Sequence, residues 1–422
     1  MLAWAALIVV SNRVGQMLLD SGRPLRILAP PIIGTFQLNP RGGFGILTLA
    51  APLVAFLLVR RGPRLSRELQ WPTLLTGSGV AAIAWSASLA VMAGWAALKR
   101  PMQLPGHYLA DVGAVGDPVA FLHHFVERID TYGTHVRGHP PGFLLVLSLL
   151  DRLGLHGGGW AAALVIAGGG AAVPAVLVTV RAVVSEDAAR RAAPFLVLAP
   201  TALYVATTAD ALFAGVTAWS VALIVLAAVG SPGRTADRRA LAGGLLLGVG
   251  LMLSYGLVLI AVIPVTVAAS RRAVRPLVLA GLATVGVLLA VGGLGFSWLE
   301  GLAATRREYL DSVASVRPYG YFLVANLGAL AVITGPATAA GLARLRERRL
   351  WLLVGGTLAA IALADLSGMS KGEVERIWLP FAVWLLPAAA FAAGRHPRRV
   401  QRWLVAQVAV AFAVQVGVRT HW

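Results

Sequence analysis

The stretch THVRGHPPG, residues 134–142, places two histidines, an arginine and two prolines directly before an apolar run. The polar region around it, residues 98–142, contains five of the eight histidines of the chain. It also contains four carboxylates: Asp111, Asp117, Glu127 and Asp130. Imidazoles and carboxylates are the side chains that most often take or give a proton in catalysis. Their concentration in one polar region predicts a reactive site there.

Other polar groups interrupt apolar sequence farther along the chain. Asp210, in TTADALF, is flanked by apolar residues. An acidic residue at membrane depth costs about 2.5 to 3.5 kcal/mol on insertion scales, so a single one indicates a functional role. Segments 300–322 and 367–381 contribute basic residues, among them Arg306, Arg317, Lys371 and Arg376. Because a guanidinium binds phosphate through two parallel hydrogen bonds, these arginines predict an anionic phosphate ligand.

Some of these groups also have a purely structural interpretation, which the sequence leaves open. Asp111 could be a solvated or capping aspartate, and Asp210 could be buried in its protonated form. Arg376 could form a local ion pair with Glu373 or Glu375 that only fixes the loop.

The two histidines of the opening stretch have a similar ambiguity. His135 and His139 are four residues apart, so on a helix they could bind a metal ion together. Pro140 and Pro141 instead favour an extended approach to the apolar run, because the residue before a proline avoids the helical conformation.

The composition shows what must position these residues. Of the 422 residues, 58% are hydrophobic and only 13% are charged, and the mean hydropathy is +0.77. Apolar stretches close to the length that crosses a bilayer, about 20 residues, recur along the chain and are continuous rather than alternating. We therefore predict an all-α polytopic membrane protein with about 11–13 transmembrane helices and a long first extracytoplasmic loop that carries interfacial helices.

Cysteine content and charge exclude several function classes. The chain has no cysteine, which excludes disulfides, thiolate catalysis and zinc–thiolate sites. Its net charge of +18 comes mainly from arginines in short loops between apolar runs. The positive-inside rule produces that pattern, so we predict no nucleic-acid partner.

The same arginines predict the topology. The basic loops that we assign to the cytoplasm are 60–68, 181–191, 231–239, 270–276, 342–349 and 394–402. Pairs of apolar segments fit between consecutive loops, and the pairs in 193–229 and 240–269 are short enough for some of their helices to be broken or re-entrant. The predicted spans are 44–59, 72–97, 158–180, 193–209, 210–229, 240–254, 255–269, 277–295, 321–341, 350–366, 377–393 and 403–418, after a first span over 1–19 that contains Asn12 and Arg13.

This alternation places the polar stretches that are poor in arginine on the opposite, extracytoplasmic side. They are 98–142, the turn at Asp210, 296–320 and 366–377. Segment 143–156 must then lie along that surface or dip into the membrane and return. No internal repeat and no soluble domain is visible in the sequence, so residues 1–422 are predicted to form one integral membrane domain.

The order of these features resembles the GT-C superfamily of membrane glycosyltransferases, which use polyprenyl-phosphate sugars; aminoarabinose transferases and protein O-mannosyltransferases are examples. The shared pattern is a first outer loop with an aspartate soon after a transmembrane helix, ending in HPPG. LAPTALYVATTADALF (198–213) resembles a later element of the family, and LSYGLVLIAVIPV (253–265) resembles its paired middle helices. The resemblance covers residues 80–330 and implies a catalytic module over 72–330, with extra helices in 1–71 and 331–422.

The resemblance implies roles for individual residues. Asp111 is the expected general base, and Asp210 is its expected partner in orienting the acceptor or a divalent metal, Mg²⁺ or Mn²⁺. The residues expected to bind substrate or its phosphate are Tyr108, His135, His139, Arg306, Arg317, Lys371, Glu375 and Arg376.

The resemblance also implies an activity. The chain is expected to be an inverting glycosyltransferase that moves a sugar from a polyprenyl-phosphate donor to a cell-envelope glycan, lipid or protein. Its active site would face outward from the plasma membrane and contact membrane lipids. The Ala, Gly and Arg bias suggests a bacterial, actinobacterial source.

Two other functions fit a polytopic membrane protein. A transporter or lipid flippase also needs many helices and intramembrane charge, but the polar groups here gather on one side and no repeat relates two halves. A glycan polymerase or ligase also uses polyprenyl-linked sugars, but its large outer loop typically comes late in the chain. Here the largest outer loop comes early.

Overall fold

The computed structural model describes residues 1–37, 46–206 and 208–420, and these residues form mostly α-helices. Nine helices in this part of the chain are long and apolar enough to cross a membrane. The prediction of an all-α polytopic membrane protein is confirmed, although residues 44 and 45 of the predicted span 44–59 lie outside the described residues. The nine spans are Leu2–Asp20, Ile46–Glu68, Trp71–Val91, Gly158–Val183, Ala209–Val229, Val274–Gly293, Tyr319–Leu342, Arg348–Leu366 and Pro397–Gly417.

Helix ends differ from the prediction at two places. The basic stretch 60–68, predicted as a loop, is the continuation of the helix Ala50–Glu68. Arginine is a good helix former, so the helix extends beyond the apolar part that hydropathy detects. The predicted span 72–97 ends early, at Val91, and the chain reaches a positive φ of 94° at Gly94, which no α-helix accommodates.

Of the four remaining predicted passes, three are shorter or broken, and the pass over 240–254 is the 20-residue helix Arg234–Leu253. The pass predicted over 193–209 is broken, as expected for the short paired segments of 193–229, because the helix Glu186–Val197 ends before Pro200. Proline lacks an N–H and holds the preceding residue, here Ala199, extended. Similar interruptions divide the passes near 255–270 and 379–393. The elements of these passes are the 3-10 turn Pro200–Tyr204, the helix Arg234–Leu253, the 3-10 turn Tyr255–Ala261, and the segments Val262–Ser270, Leu379–Ala382, Leu386–Ala388 and Ala389–Ala393. The one-turn helix Val374–Ile377 precedes the last pass.

The long early loop folds into short helical pieces. Its last element, the helix Gly142–Arg152, is 11 residues long and would span about 16 Å at about 1.5 Å per residue. That length is too short to cross a hydrocarbon core about 30 Å thick, as predicted for 143–156. The other elements before and within the loop are Ala96–Lys99, Pro101–Gln103, Tyr108–Ala114, Pro118–His124, Ile129–Thr131 and Thr134–Arg137.

Contacts between loops show which loops lie at the same end of the bundle. At one end, Arg190 donates a hydrogen bond of 2.8 Å to the carbonyl oxygen of Leu69, and Arg395 lies 3.0 Å from the Asp187 carboxylate. These contacts join three of the loops that the arginines assign to the cytoplasm. The loops predicted on the opposite side therefore have to meet at the other end.

Contacts at the other end follow that expectation. Arg137 of the early loop lies 3.1 Å from the Glu308 carboxylate, on the helix Trp298–Asp311. The Tyr309 hydroxyl donates a hydrogen bond of 2.9 Å to the carbonyl oxygen of Gly368. The early loop, segment 296–320 and loop 366–377 are thus adjacent.

An irregular segment near the N-terminus also lies at this end. Residues 25–33, which we call the N-terminal segment, are not helical, yet Leu25, Ile27 and Ile32 are at most 4% exposed. A two-stranded antiparallel ribbon follows, in which Thr35–Phe36 pairs with Val418–Arg419. No pattern in the sequence predicts this buried segment.

Close helix packing depends on glycine in the stretch GGLLLGVG, residues 243–250. A Cβ atom added at Gly244 would lie 2.2 Å from the carbonyl oxygen of Ala280, on the helix Val274–Gly293. The two backbones therefore approach each other at a distance that only glycine permits.

We expect Gly244→Val to lower the melting temperature of the detergent-solubilised protein clearly, because the two helices must move apart and overpacking costs about 1–3 kcal/mol. Gly281→Val is the matched control: it lies on the facing helix, and a Cβ there would meet no atom within 4 Å. Equal melting temperatures for the two variants would contradict the packing described here.

Candidate functional site

A buried ion pair forms the centre of the candidate site. Asp210 lies in the first turn of the helix Ala209–Val229, and Arg376 lies in the one-turn helix Val374–Ile377. The Arg376 Nη1 and Asp210 Oδ2 atoms are 3.0 Å apart, and the two side chains are 8% and 5% exposed. The helix N-terminus favours the carboxylate, and the opposite charges compensate for part of the cost of burial.

Glu373 supplies a second carboxylate to the same arginine. Its Oε2 atom is 2.5 Å from Nη2 of Arg376. Burial lowers the pKa of Arg376, but the carboxylates of Glu373 and Asp210 outweigh that effect and raise its pKa. Burial raises the pKa of Glu373, and Arg376 reverses this, so that pKa is lowered and the side chain is ionised at neutral pH. The sequence left open whether Arg376 forms a local ion pair with Glu373 or with Glu375. The structure shows the ion pair with Glu373 and a second ion pair with Asp210.

The early loop reaches this ion pair through Tyr108. The side chain is 3% exposed, and its hydroxyl has no hydrogen-bond partner among the described residues. Burial raises the pKa of Tyr108, the nearby Asp210 carboxylate raises it further, and Arg376 lowers it in part. The hydroxyl therefore keeps its proton and can donate a hydrogen bond to a bound molecule.

His139 lies beside Tyr108, with ring centroids 5.8 Å apart. Its Nδ1 atom is 2.8 Å from the carbonyl oxygen of His135. A carbonyl oxygen only accepts, so Nδ1 carries the proton and Nε2 of the neutral ring is an acceptor. Burial lowers the pKa of His139, against the opposing effect of Asp210, so the ring is neutral at pH 7.

Of the two histidines, His135 lies on a short helix and His139 lies just after its end. Thr134–Arg137 forms a helical turn, and the His139 N–H donates to the carbonyl oxygen of Val136. The turn ends before Pro140, so the proline does not break it. Burial, followed by Arg376, also lowers the pKa of His135, whose ring centroid is 4.1 Å from that of His107.

The site does not fit a divalent metal as arranged. No group of three or more His, Asp or Glu residues within the described ranges is placed to hold a metal ion. Asp210, the expected ligand, already pairs with Arg376, and a cation there would lie beside a guanidinium. We therefore derive no step through a metal.

Asp111 is placed by the loop itself. Its Oδ2 atom accepts a hydrogen bond of 2.8 Å from the Gly133 N–H. It lies three residues after Tyr108 in the 3-10 turn Tyr108–Ala114, and residues three apart share one face of such a turn. Since Tyr108 approaches the ion pair, Asp111 is at the same end of the molecule as Asp210.

Two of the other residues expected to bind substrate or its phosphate instead donate hydrogen bonds to backbone carbonyl oxygens. Arg317 is 8% exposed, and its Nε donates a hydrogen bond of 3.0 Å to the carbonyl oxygen of Leu25. The Lys371 Nζ donates to the carbonyl oxygen of Ser315 at 2.8 Å. Burial lowers the pKa of Arg317 and of Lys371. Arg306 lies exposed on the helix Trp298–Asp311.

Glu375, also expected to bind substrate, is 0% exposed. Its Oε1 accepts a hydrogen bond of 2.9 Å from the Ile33 N–H of the N-terminal segment. The site thus draws on residues from the beginning, middle and end of the chain. Glu373 is already a possible ion-pair partner of Arg376 in the sequence, three residues before it, whereas nothing in the sequence marks Ile33.

Comparisons with known proteins give a likeness of overall fold. No protein-family model matches the chain, and no curated protein matches its sequence. The structure is similar to that of ArnT from Cupriavidus metallidurans in the apo state, with 18% identity and a TM-score of 0.48 over 76% of this chain and 60% of that one. It is also similar to the Archaeoglobus fulgidus oligosaccharyltransferase in complex with zinc and sulfate, with 14% identity and a TM-score of 0.47 over 82% of this chain and 53% of that one.

Both likenesses have identities below 25% and TM-scores below 0.5. The chain spans 60% and 53% of their lengths, less than two thirds of either. At these identities and scores, no residue role is transferred from them.

Proposed function

We propose that this protein is an inverting glycosyltransferase that moves a sugar from a polyprenyl-phosphate donor to a cell-envelope acceptor at the extracytoplasmic face of the membrane. One observation carries the proposal. A buried cluster of Asp210, Arg376 and Glu373 meets Tyr108 and His139 of the early loop at one end of a membrane bundle. A transporter requires polar groups accessible from both faces, whereas a transferase requires them at one.

The arginine suits the donor. A polyprenyl phosphate has an apolar tail and an anionic head, so its site has to combine the bilayer with a cation at the surface. Arg376 binds Asp210 through Nη1 and Glu373 through Nη2, and a phosphate that replaces one of these carboxylates accepts from the N–H groups of that nitrogen. Negative charge grows on the phosphate as its bond to the sugar breaks, and a fixed guanidinium stabilises that charge.

The loop supplies the remaining chemistry. Asp111 acts as the base that takes the proton from the acceptor hydroxyl. The protonated Tyr108 hydroxyl donates a hydrogen bond and Nε2 of His139 accepts one, so together they orient sugar or acceptor hydroxyls. One base opposite a phosphate leaving group gives a single displacement and inverts the anomeric carbon, since retention would need a carboxylate nucleophile.

The test uses the purified protein in lipid nanodiscs with polyprenyl phosphates that carry radiolabelled sugars, together with a cell-envelope extract. We expect label to move into the extract and free polyprenyl phosphate to be released in equal amount. A parallel assay in sealed vesicles measures transport. Accumulation of intact donor across the membrane, without cleavage of the sugar–phosphate bond, would refute the transferase and support a flippase.

A further inference from the structure

The loop that presents Arg376 has little structure of its own. Gly372 and Glu373 have consecutive positive φ angles, 89° and 62°, so the chain turns sharply just before the arginine. The helix that follows, Val374–Ile377, is a single turn, and one turn of helix is not stable alone. The position of Arg376 therefore depends on what the loop packs against.

The N-terminal segment is one of those supports. The Ile33 N–H donates to Oε1 of Glu375, next to Arg376 in sequence. The side chain of Ile27 packs directly on Gly372, where an added Cβ would lie 3.0 Å from the Ile27 Cδ1 atom. The segment thus contacts the loop on both sides of the sharp turn.

Arg317 also connects the N-terminal segment with the loop that presents Arg376. Its Nε donates to the carbonyl oxygen of Leu25, in the N-terminal segment, and its Nη1 donates to the carbonyl oxygen of Lys371, in the loop. The loop is also fixed by Asn326, whose Oδ1 accepts from the Gly372 N–H at 3.2 Å.

Glu375 is unusual among these groups because its second oxygen, Oε2, is buried without a hydrogen-bond partner among the described residues. The charged and titratable groups that act on it are Glu373, Arg376, Arg317 and Tyr204. A fully buried carboxylate with one unsatisfied oxygen is costly in its ionised form. Protonation removes that cost and leaves Oε1 available to Ile33.

We infer that Glu375 is a positioning residue: it ties residues 25–33 to loop 371–376 and thereby holds Arg376 against Asp210. It does not contact the substrate. The inference rests on the proposed function only for its effect on turnover, because the attachment of the N-terminal segment can be measured without any substrate.

The attachment should depend on pH. Burial, with a contribution from Glu373, raises the pKa of Glu375 to about 7. For an acid whose pKa is raised by folding, the contribution is complete below the ordinary value of about 4.3 and is lost as the pH rises. The N-terminal segment is therefore held most firmly at acidic pH and is released as the pH rises to about 7.

The experiment uses a spin label at Leu28→Cys, because Leu28 is 57% exposed within the segment and the chain has no cysteine of its own. We expect the label to be immobile at pH 5 and mobile at pH 8 in the otherwise unmodified protein. Glu375→Gln keeps the acceptor for Ile33 and cannot ionise, so its label should stay immobile at both values. Glu375→Leu removes the acceptor and should be mobile at both. The control is a label at Leu299→Cys, which is 71% exposed on the helix Trp298–Asp311. Its mobility should be the same at both pH values.

Turnover separates this inference from the proposed function. With Glu375→Leu we expect kcat to fall on the order of a hundredfold relative to Glu375→Gln, since small displacements in an active site have effects of that size. If the protein transfers sugar and the two variants have equal kcat, the positioning role is refuted and the transferase stands. If label mobility in the otherwise unmodified protein is the same at pH 5 and pH 8, control of the attachment by ionisation of Glu375 is refuted, whether or not Glu375→Leu folds.

Discussion

Replacing Asp111 with asparagine should reduce sugar transfer by about 10²- to 10⁴-fold, the range that a positioned general base contributes. Asparagine cannot take the proton from the acceptor hydroxyl. Its amide oxygen can still accept the hydrogen bond from the Gly133 N–H that the Asp111 carboxylate accepts now, so the loop keeps its shape. The loss should therefore appear in kcat, with donor binding nearly unchanged.

Asp117→Asn is the matched control for that variant. Asp117 lies in the same loop and is six residues away, but its side chain caps the helix Pro118–His124 by accepting from the Ala120 N–H at 2.7 Å. Asparagine caps helices as well as aspartate, so transfer should be unaffected. The measurement is initial rate against donor concentration for both variants. An Asp111→Asn enzyme with full turnover would remove Asp111 from the mechanism.

Breaking the Asp210–Arg376 pair should destabilise the protein more than any exposed ion pair in the described residues. Arg376→Met leaves the Asp210 carboxylate, 5% exposed, without its cation. Removal of one partner of a buried ion pair typically costs about 3–5 kcal/mol, because the other charge remains buried. Arg64 and Glu68 are the matched control: they lie 2.8 Å apart, but their side chains are 76% and 55% exposed. Loss of that pair should cost less than about 1 kcal/mol.

The double variant Asp210→Asn with Arg376→Met separates stability from catalysis. With no unpaired charge at position 210, we expect stability to recover most of the loss, because Glu373, the other carboxylate left without Arg376, is 26% exposed and so reaches solvent. Transfer should stay absent, because the guanidinium for the phosphate is gone. Thermal unfolding in one detergent, at one protein concentration, compares the single, double and control variants. A double variant as unstable as Arg376→Met, or one that transfers sugar, would contradict the dual role of this pair.

Much of the architecture could be predicted because it depends on local composition. Hydropathy identified the nine long spans, since a helix in lipid has to be apolar over about 20 residues. The distribution of arginines assigned the loops to two ends, and the contacts of Arg190 and Arg137 agree with that assignment. The positions of breaks such as that at Pro200 were harder to predict, because a run of apolar residues does not reveal whether its backbone is helical throughout.

The candidate site could be predicted only as a set of residues. Sequence alone identified Asp210, Arg376 and the loop with Asp111 as unusual for a membrane protein, because charge and imidazole are costly near lipid. It could not pair Asp210 with Arg376, 166 residues later, or Glu375 with Ile33, 342 residues earlier. Nor could it show that Arg317 holds backbone carbonyls.

Those pairings were decided by the tertiary structure alone. Hydropathy and charge are properties of each segment, whereas a contact between side chains depends on how far each helix is rotated and where each chain turns. Close contacts at glycine, such as that of Gly244 with Ala280, determine how neighbouring helices are placed. The sequence of one segment alone does not contain that information.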